Sequence, residues 1–277
     1  MRSEATTDSC QTASQFREDG YVKLGSLISK ERAGALKSHA NRLWEEELRD
    51  REAGRRNGDA DFEHYNFKGA HLYNSPRRTR AFDVLLANEA VLAAIEEIFG
   101  CPAILSQTEL RNPFKNAVDS HAYKWHRDGR VLGHHDFWII AFWLLDDATR
   151  ENGATEIKPG TQHTDANDEG AVSIYLEGSA GEVILVNSNI FHRATVNYTG
   201  DDRWLFLPTY NPWFIKPAMD YTKVFSRATF DSFPDRLKQV FGYTSVVPYN
   251  EKTRLYTRAA WHACIEDMTF PDRDIDD

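Results

Sequence analysis

The segment His126-Arg127-Asp128 sets two side chains able to bind a metal one residue apart. In extended chain, residues i and i+2 share a face, so this imidazole and this carboxylate can meet one ion. A third ligand must come from another strand. His192 is the best candidate, at the end of the apolar run Val-Ile-Leu-Val-Asn-Ser-Asn-Ile-Phe-His. Two imidazoles and one carboxylate on one side of an ion leave three positions open. That is the facial arrangement of non-haem Fe(II) sites, which bind O₂ together with a bidentate co-substrate. Arg203 follows eleven residues after His192, on the next expected strand, across the turn Asn197–Asp202. Its planar fork matches a carboxylate and stays charged at any working pH, which suits the far carboxylate of 2-oxoglutarate. Singly, each residue has a plainer explanation: a surface ion pair for the HxD, a structural histidine, a solvated arginine beside Asp201 or Asp202. The joint pattern on consecutive strands is what carries information.

The surrounding pattern says what could hold these residues. Residues 1–15 are polar and expected to fray. Gly20–Leu24 alternates like a short strand. Ser29 reads as a helix N-cap with Glu31 in the first turn, followed by Ala33, Leu36, Ala40, Leu43, Trp44 and Leu48 at helical spacing. The stretch RDREAGRRNGDADFEH reads as a surface loop. A second helix is expected from Asn88, with Gly100 as C-cap and Pro102 preventing continuation. From about residue 103 short apolar runs alternate with Asn-Pro, Glu-Asn-Gly, Lys-Pro-Gly and Thr-Gly-Asp-Asp, which predicts a mainly β architecture, a sandwich or barrel. An amphipathic piece is expected near Phe233–Phe241. The expected organisation is one domain over 1–277: a helical part over about 20–102, a β-core over about 103–215 and an extension over 216–277.

Composition bounds the function. A chain of 277 residues that is 41% hydrophobic and 27% charged can bury a core. The 33 Lys and Arg against 42 Asp and Glu give a net charge of −9, which argues against duplex nucleic acid or anionic membrane as partners. The three cysteines are far apart with no CxxC, so neither a disulfide framework nor a structural zinc site is expected. No apolar stretch reads as a signal peptide or a span, so a cytoplasmic location is expected.

Residues from about 20 to 215 resemble the phytanoyl-CoA dioxygenase family of Fe(II)/2-oxoglutarate oxygenases. The motifs that carry the resemblance are Asp19-Gly20-Tyr21-Val22, Trp125-His126-Arg127-Asp128, Phe142-Trp143-Leu144-Leu145-Asp146-Asp147 with Glu151-Asn152-Gly153, and Lys158-Pro159-Gly160-Thr161. Gly181-Glu182-Val183-Ile184-Leu185, Phe191-His192, Asn197 and Arg203 complete them. The resemblance implies a double-stranded β-helix (jelly-roll, cupin-like) core with flanking helices. It implies His126, Asp128 and His192 as ligands of catalytic Fe(II), and Arg203 as the anchor of the co-substrate 2-oxoglutarate, with O₂ as oxidant. Relatives often carry a hydroxyl two residues after the second histidine. That position is Ala194 here, and Thr195 next to it is the expected substitute. Asn112 and Gln107 are expected co-substrate contacts before the HxD segment, and Trp143 an expected lining of that pocket. Related halogenases lack the carboxylate that Asp128 provides, so halogenation is disfavoured.

The substrate is read from the residues expected at the mouth: Glu109, Arg111, Tyr123, Arg130, Trp138 and Trp213, with Arg193 and Tyr210 beside them. Alternation puts Gln107, Glu109 and Arg111 on one strand face. If that face points inward, the pocket is polar with both charge signs. The expectation is oxidation of a C–H bond of a small polar or sugar-like metabolite, by hydroxylation, cyclisation or desaturation, in natural-product biosynthesis among the roles open to it. Succinate and CO₂ would be released. His134 and His135 could add ligands, although paired loop histidines are more often solvent-exposed. Two other classes stay open: a zinc hydrolase using the same ligands, and a non-catalytic small-molecule-binding barrel.

Overall fold

Alternate side chains of the central strands of the large sheet serve two different cores. The computed structural model describes residues 5–54, 69–113, 123–128, 135–164, 170–247 and 268–275. A six-stranded antiparallel sheet has the order β1 (Tyr21–Ser26), β7 (Glu182–Asn187), β4 (Ile139–Leu144), β9 (Leu205–Pro212), β3 (Ala103–Pro113), β2 (Gly69–Tyr73). A three-stranded sheet has the order β6 (Ile174–Tyr175), β5 (Glu156–Lys158), β8 (Phe191–Arg193). Phe142, Leu144, Ile184, Val186, Leu205 and Leu207 of the large sheet meet Ile157, Ile174 and Tyr175 of the small one. Their neighbours Ala141, Trp143, Val183, Leu185, Phe206 and Tyr210 point the other way, into a core shared with the helices. Two sheets facing each other, with helices on the outer face of the larger, make the double-stranded β-helix that the resemblance implies.

The helices form where their caps and apolar spacing allow. The second helix, α2 (Lys30–Glu52), starts at Ser29, whose Oγ accepts the Arg32 N–H at 3.1 Å. Two further helices are α3 (Asp83–Leu86) and α4 (Glu89–Phe99). Asn88 caps α4 by accepting the Val91 N–H at 3.2 Å, and Gly100 ends it at φ 68°. Beyond the β-core lie α5 (Arg227–Ser232) and α6 (Asp235–Val240), the latter inside the amphipathic piece expected near Phe233–Phe241.

Several expectations are corrected. Within the stretch 1–15, expected to fray, residues from Ala5 belong to α1 (Ala5–Asp19), because Ala13 and Phe16 find a place in the helix-side core; residues 1–4 lie outside the described residues. Leu48, expected on the buried face of α2, is 40% exposed. The β-core is not confined to 103–215, since β1 and β2 supply both edges of the large sheet. Residues 123–128, expected as a strand, hold only an isolated antiparallel bridge between His126 and His192. Among the described residues, no helix is long and apolar enough to cross a membrane.

Gly181 shows how tightly β1 and β7 are joined. Its φ is +95°, and a Cβ there would lie 2.2 Å from the Ile28 carbonyl oxygen. Its own carbonyl accepts the Leu27 N–H at 3.0 Å. Gly181→Ala should therefore destabilise the fold by about 1–3 kcal/mol or more, from backbone strain plus the clash. Urea unfolding would show it as a lowered midpoint at unchanged slope.

Candidate active site

His126 and His192 are brought together by backbone before any side chain is involved. Each donates its N–H to the other's carbonyl at 3.0 Å, which sets the two imidazole centroids 4.3 Å apart. The Asp128 N–H is held by the Ser188 carbonyl at 3.1 Å. The ligand atoms of His126, Asp128 and His192 all lie within 4.8 Å of one another, with Asp128 Oδ1 3.7 Å from His192 Nε2. Each imidazole has the same local partner two residues back. Nδ1 of His126 lies 2.8 Å from the Lys124 carbonyl, and Nδ1 of His192 lies 3.0 Å from that of Ile190. A carbonyl only accepts, so each Nδ1 carries the proton and each Nε2 is left with the lone pair a metal needs. The donor set fits a divalent iron with three open positions.

Arg127, between the ligands, points to the other side and pins them. Its Nε donates to the Asn189 carbonyl at 2.8 Å, and its Nη2 to the Thr161 and Thr164 carbonyls at 2.7 and 2.6 Å. Its guanidinium also covers the Phe191 ring at 4.0 Å. Thr161, from the Lys-Pro-Gly-Thr turn, accepts the Phe191 N–H at 2.9 Å. One arginine thus ties the HxD segment to the turn and to the strand bearing His192.

Arg203 lies two residues ahead of β9 rather than within it. It is 4% exposed, and its Nε and Nη1 have no hydrogen-bond partner among the described residues. The backbone around it is fixed: Asn112 Oδ1 accepts the Arg203 N–H at 3.0 Å, and Asp146 Oδ2 accepts that of Trp204 at 2.9 Å. Burial pushes its pKa down to about 10, with Tyr123 and Asp146 opposing that and Arg111 adding to it, so it stays charged at neutral pH. A buried cation with no carboxylate in direct contact is costly to keep charged, and a carboxylate ligand would relieve it. Arg111 is within electrostatic reach of both Arg203 and Asp128, which joins the two halves of the site.

The inward face of β3 is polar, as alternation predicts. Gln107, Glu109 and Arg111 pair across from Thr209, Leu207 and Leu205, and both leucines belong to the inter-sheet core. The Glu109 carboxylate receives Arg111 Nε at 2.7 Å, Gln107 Nε2 at 2.9 Å and His71 Nε2 at 3.0 Å. That histidine nitrogen also lies 3.3 Å from Arg111 Nε. It cannot both donate and accept, and the shorter carboxylate contact decides for donation. Burial raises the Glu109 pKa, but the Arg111 charge and the His71 hydrogen bond outweigh it and hold the carboxyl well below its ordinary range. His71 was not singled out from sequence. Its only sign is the alternation of Ala70 and Leu72, both buried, with His71 and Tyr73.

Other expected contacts sit elsewhere. Trp143 is packed in the helix-side core, because strand parity turns Phe142 and Leu144 inward instead. Asn112 spends its side chain on the Arg203 N–H and, at 3.0 Å, on Asp202. The Thr195 hydroxyl donates to the Ala154 carbonyl at 2.8 Å. Tyr210 reaches the Leu86 carbonyl on the helix side, and Arg193 turns outward to Glu156 and Trp125. Burial raises the Tyr123 pKa, and the Arg203 charge opposes that. Trp138 is buried, its carbonyl accepting the Ser188 N–H at 3.0 Å. Trp213 is 48% exposed and edge-on to Phe214. His135 is exposed and stacked on Phe137. Arg130 and His134 lie outside the described residues.

A jelly roll that seats two imidazoles and a carboxylate between its sheets has the build of a non-haem iron oxygenase. The family model for phytanoyl-CoA dioxygenase matches residues 16–204, and the chain belongs to that family. It is an enzyme of the 2-oxoglutarate-dependent, non-haem iron class, with iron and 2-oxoglutarate as cofactors. Among its relatives, dioxygenase af480 of Aspergillus fumigatus is 22% identical over 83% of this chain and 76% of its own length. L-proline trans-4-hydroxylase of Streptomyces griseoviridis is 26% identical over 47% of this chain and 62% of its own. The crystal structure of AviO1 from Streptomyces viridochromogenes superposes with a TM-score of 0.60 at 21% identity, over 76% of this chain and 98% of that one. The epimerase SnoN, crystallised with Fe3+, alpha ketoglutarate and nogalamycin RO, gives 0.58 at 16% identity, over 77% and 88%.

Two outcomes follow from this geometry. Arg127→Met should lower Fe(II) affinity about 10–100-fold, the usual effect of losing a group that orients metal ligands. Anaerobic metal titration measures it. Glu109→Gln should cost about 2 kcal/mol at pH 7, less than the ~3–5 kcal/mol of a fully buried broken pair, because the Arg111 side chain is 42% exposed. A carboxyl held below its ordinary value of 4.5 adds stability that is fully present above that pH and lost on acidification. The gap between wild type and variant in urea unfolding should therefore narrow as pH falls below 4.5.

Proposed function

We propose that His126, Asp128 and His192 hold the iron, that Arg203 takes the far carboxylate of 2-oxoglutarate, and that the enzyme oxidises a C–H bond of a small polar, sugar-like metabolite. The observation that carries the reading is the buried Arg203, with Nε and Nη1 unpartnered, beside a ready three-ligand cluster. When bound, the iron and its co-substrate supply an oxidant strong enough for an unactivated C–H bond, with succinate and CO₂ released. This chain's residues do the rest. The two Nδ1 contacts keep both imidazoles facing inward, and Arg203 fixes one end of the co-substrate so that its other end meets the ligands. Gln107, Glu109, Arg111 and His71 line the wall of β2 and β3 as a linked hydrogen-bonding surface in which the two charges cancel. Such a wall suits a neutral, hydroxyl-bearing substrate. Trp138 and Trp213 are the aromatic side chains this reading offers as contacts for a substrate ring.

A role in natural-product biosynthesis is supported by the similarity to SnoN and to the carbocyclase SnoK, both described as from nogalamycin biosynthesis. Those neighbours carry out different outcomes, epimerisation and ring closure, so hydroxylation and cyclisation or desaturation are both within reach of this scaffold.

Single-turnover succinate formation with Fe(II), 2-oxoglutarate and O₂ tests the reading. Wild type should form succinate, while His126→Ala and Arg203→Ala should each fall at least about 100-fold. That is what losing a metal ligand or ~3 kcal/mol of carboxylate binding implies. Wild-type turnover in both variants would sink the assignment. A visible charge-transfer band on anaerobic addition of 2-oxoglutarate would separate it from a zinc hydrolase using the same ligands.

A further inference from the structure

Several half-exposed rings of this protein are covered by a cation. Trp125 lies under Lys158 at 4.8 Å and Arg193 at 4.6 Å, Phe191 under Arg127 at 4.0 Å, and Tyr175 under Arg150 at 5.0 Å. Among the described residues no cation covers Phe137, Trp213 or Phe214. Trp213 is 48% exposed and Phe214 57%. Phe214 stands edge-on to Trp213 at 5.9 Å and to Phe137 at 6.1 Å between centroids. Phe137 in turn stands edge-on to Trp138 at 6.4 Å.

This row of rings is continuous with the candidate active site. Trp138 has the strand parity of Ile140, Phe142 and Leu144, the inward residues of β4. Its carbonyl accepts the Ser188 N–H at 3.0 Å, and the Ser188 carbonyl accepts the Asp128 N–H at 3.1 Å. Asn187 donates to the Asp136 carboxylate at 2.6 Å, and Asn189 to the His135 carbonyl at 3.1 Å. The turn that holds Asp128 therefore also holds the segment carrying Phe137. At the far end of the row, the Trp213 N–H donates to the Pro102 carbonyl at 3.1 Å.

The chemistry of the row selects its occupant. Asn211, at the end of β9, is buried and spends its amide nitrogen on the Pro212 and Ile215 carbonyls at 2.9 and 2.8 Å, so it offers the row no donor. Bare ring faces without donors suit a flat apolar ring better than a sugar, whose hydroxyls need partners. Two half-exposed rings offer about 250 Å² at most, against the ~800 Å² per side of a stable protein interface, so the row is too small to hold a protein. We propose that Phe137, Phe214 and Trp213 form a rim that binds a flat, apolar ring system of the substrate. The hydroxyl-bearing part of the same molecule then lies against the β3 wall, so the substrate has two chemically distinct parts.

This rests on the reading that a hydroxyl-bearing substrate enters beside the iron ligands, and the experiment scores the two separately. Enzyme loaded anaerobically with Fe(II) and 2-oxoglutarate is dialysed to equilibrium against methyl β-glucoside or 2-naphthyl β-glucoside, neutral probes that share one sugar. Wild type should bind the naphthyl probe about tenfold more tightly, the scale of one ring stacked on an aromatic side chain. Trp213→Ala and Phe214→Ala should each lose most of that ratio. Tyr198→Ala, which removes an exposed ring from the turn after β8, should keep it. No binding of the naphthyl probe, a ratio near one in wild type, a ratio kept in both rim variants, or one lost equally in Tyr198→Ala overturns the proposal. The visible charge-transfer band of the same samples reports the iron and co-substrate. Its absence in wild type fails that reading, while the ratio still decides the rim.

Discussion

The reciprocal pair of backbone hydrogen bonds between His126 and His192 is the constraint on which the rest of the site depends. It fixes two imidazoles from distant parts of the chain in register, so neither has to search for the other. Both then use the same contact, Nδ1 to the carbonyl two residues back, to choose a tautomer. The outer contacts exist to keep that register. Arg127 and Thr161 clamp the two segments from the far side, and the Ser188 carbonyl holds the Asp128 N–H. A register slip of one residue would turn His126 out and Arg127 in, exchanging an imidazole for a cation.

The two faces of the large sheet divide the work. The outer face meets α1, α2 and α4 in a core of large apolar side chains, and this is where Trp143, Trp204 and Tyr210 are found. The inner face carries Leu205 and Leu207 at its apolar part and Gln107, Glu109 and Arg111 where β3 meets β2. Trp204 links the two: its indole N–H donates to Asn41 of α2 at 2.7 Å, and its backbone N–H is held by Asp146, right beside the Arg203 it positions.

Much of this was legible in the sequence because it depends on period and order. The helix from Asn88 to Gly100 announces itself by its caps, and the i, i+2 spacing of His126 and Asp128 survives even though their segment is a bridge and not a strand. That Gln107, Glu109 and Arg111 share one face of β3 followed from alternation alone; that the face points inward is seen only in the fold. What alternation cannot supply is which face is inward in a strand buried on both sides. Ile139–Leu144 is apolar at every position, so Trp143 could be placed on either face, and packing against the helices decided it. Asn112 misled for a related reason. A polar residue next to a site serves the backbone as readily as a ligand, and only coordinates distinguish them. His71 was hidden because its partner strand β3 lies some forty residues away, beyond any local signal.

The charge balance of the pocket bears on what enters it. The whole chain carries −9, yet the site gathers Arg111 and Arg203 against Glu109 and Asp128. Glu109 is fully ionised and pairs with Arg111, which cancels both. Bound iron would bring two positive charges, offset in part by Asp128, and 2-oxoglutarate would bring two negative ones to Arg203 and the metal. The sum comes close to neutral with no charge left over for the substrate. A strongly anionic substrate would have to break the Arg111–Glu109 pair to find a counter-charge, leaving a buried carboxylate with only Gln107 and His71. A neutral molecule with several hydroxyl groups meets the same wall without disturbing it, and its polar edges find donors and acceptors already aligned.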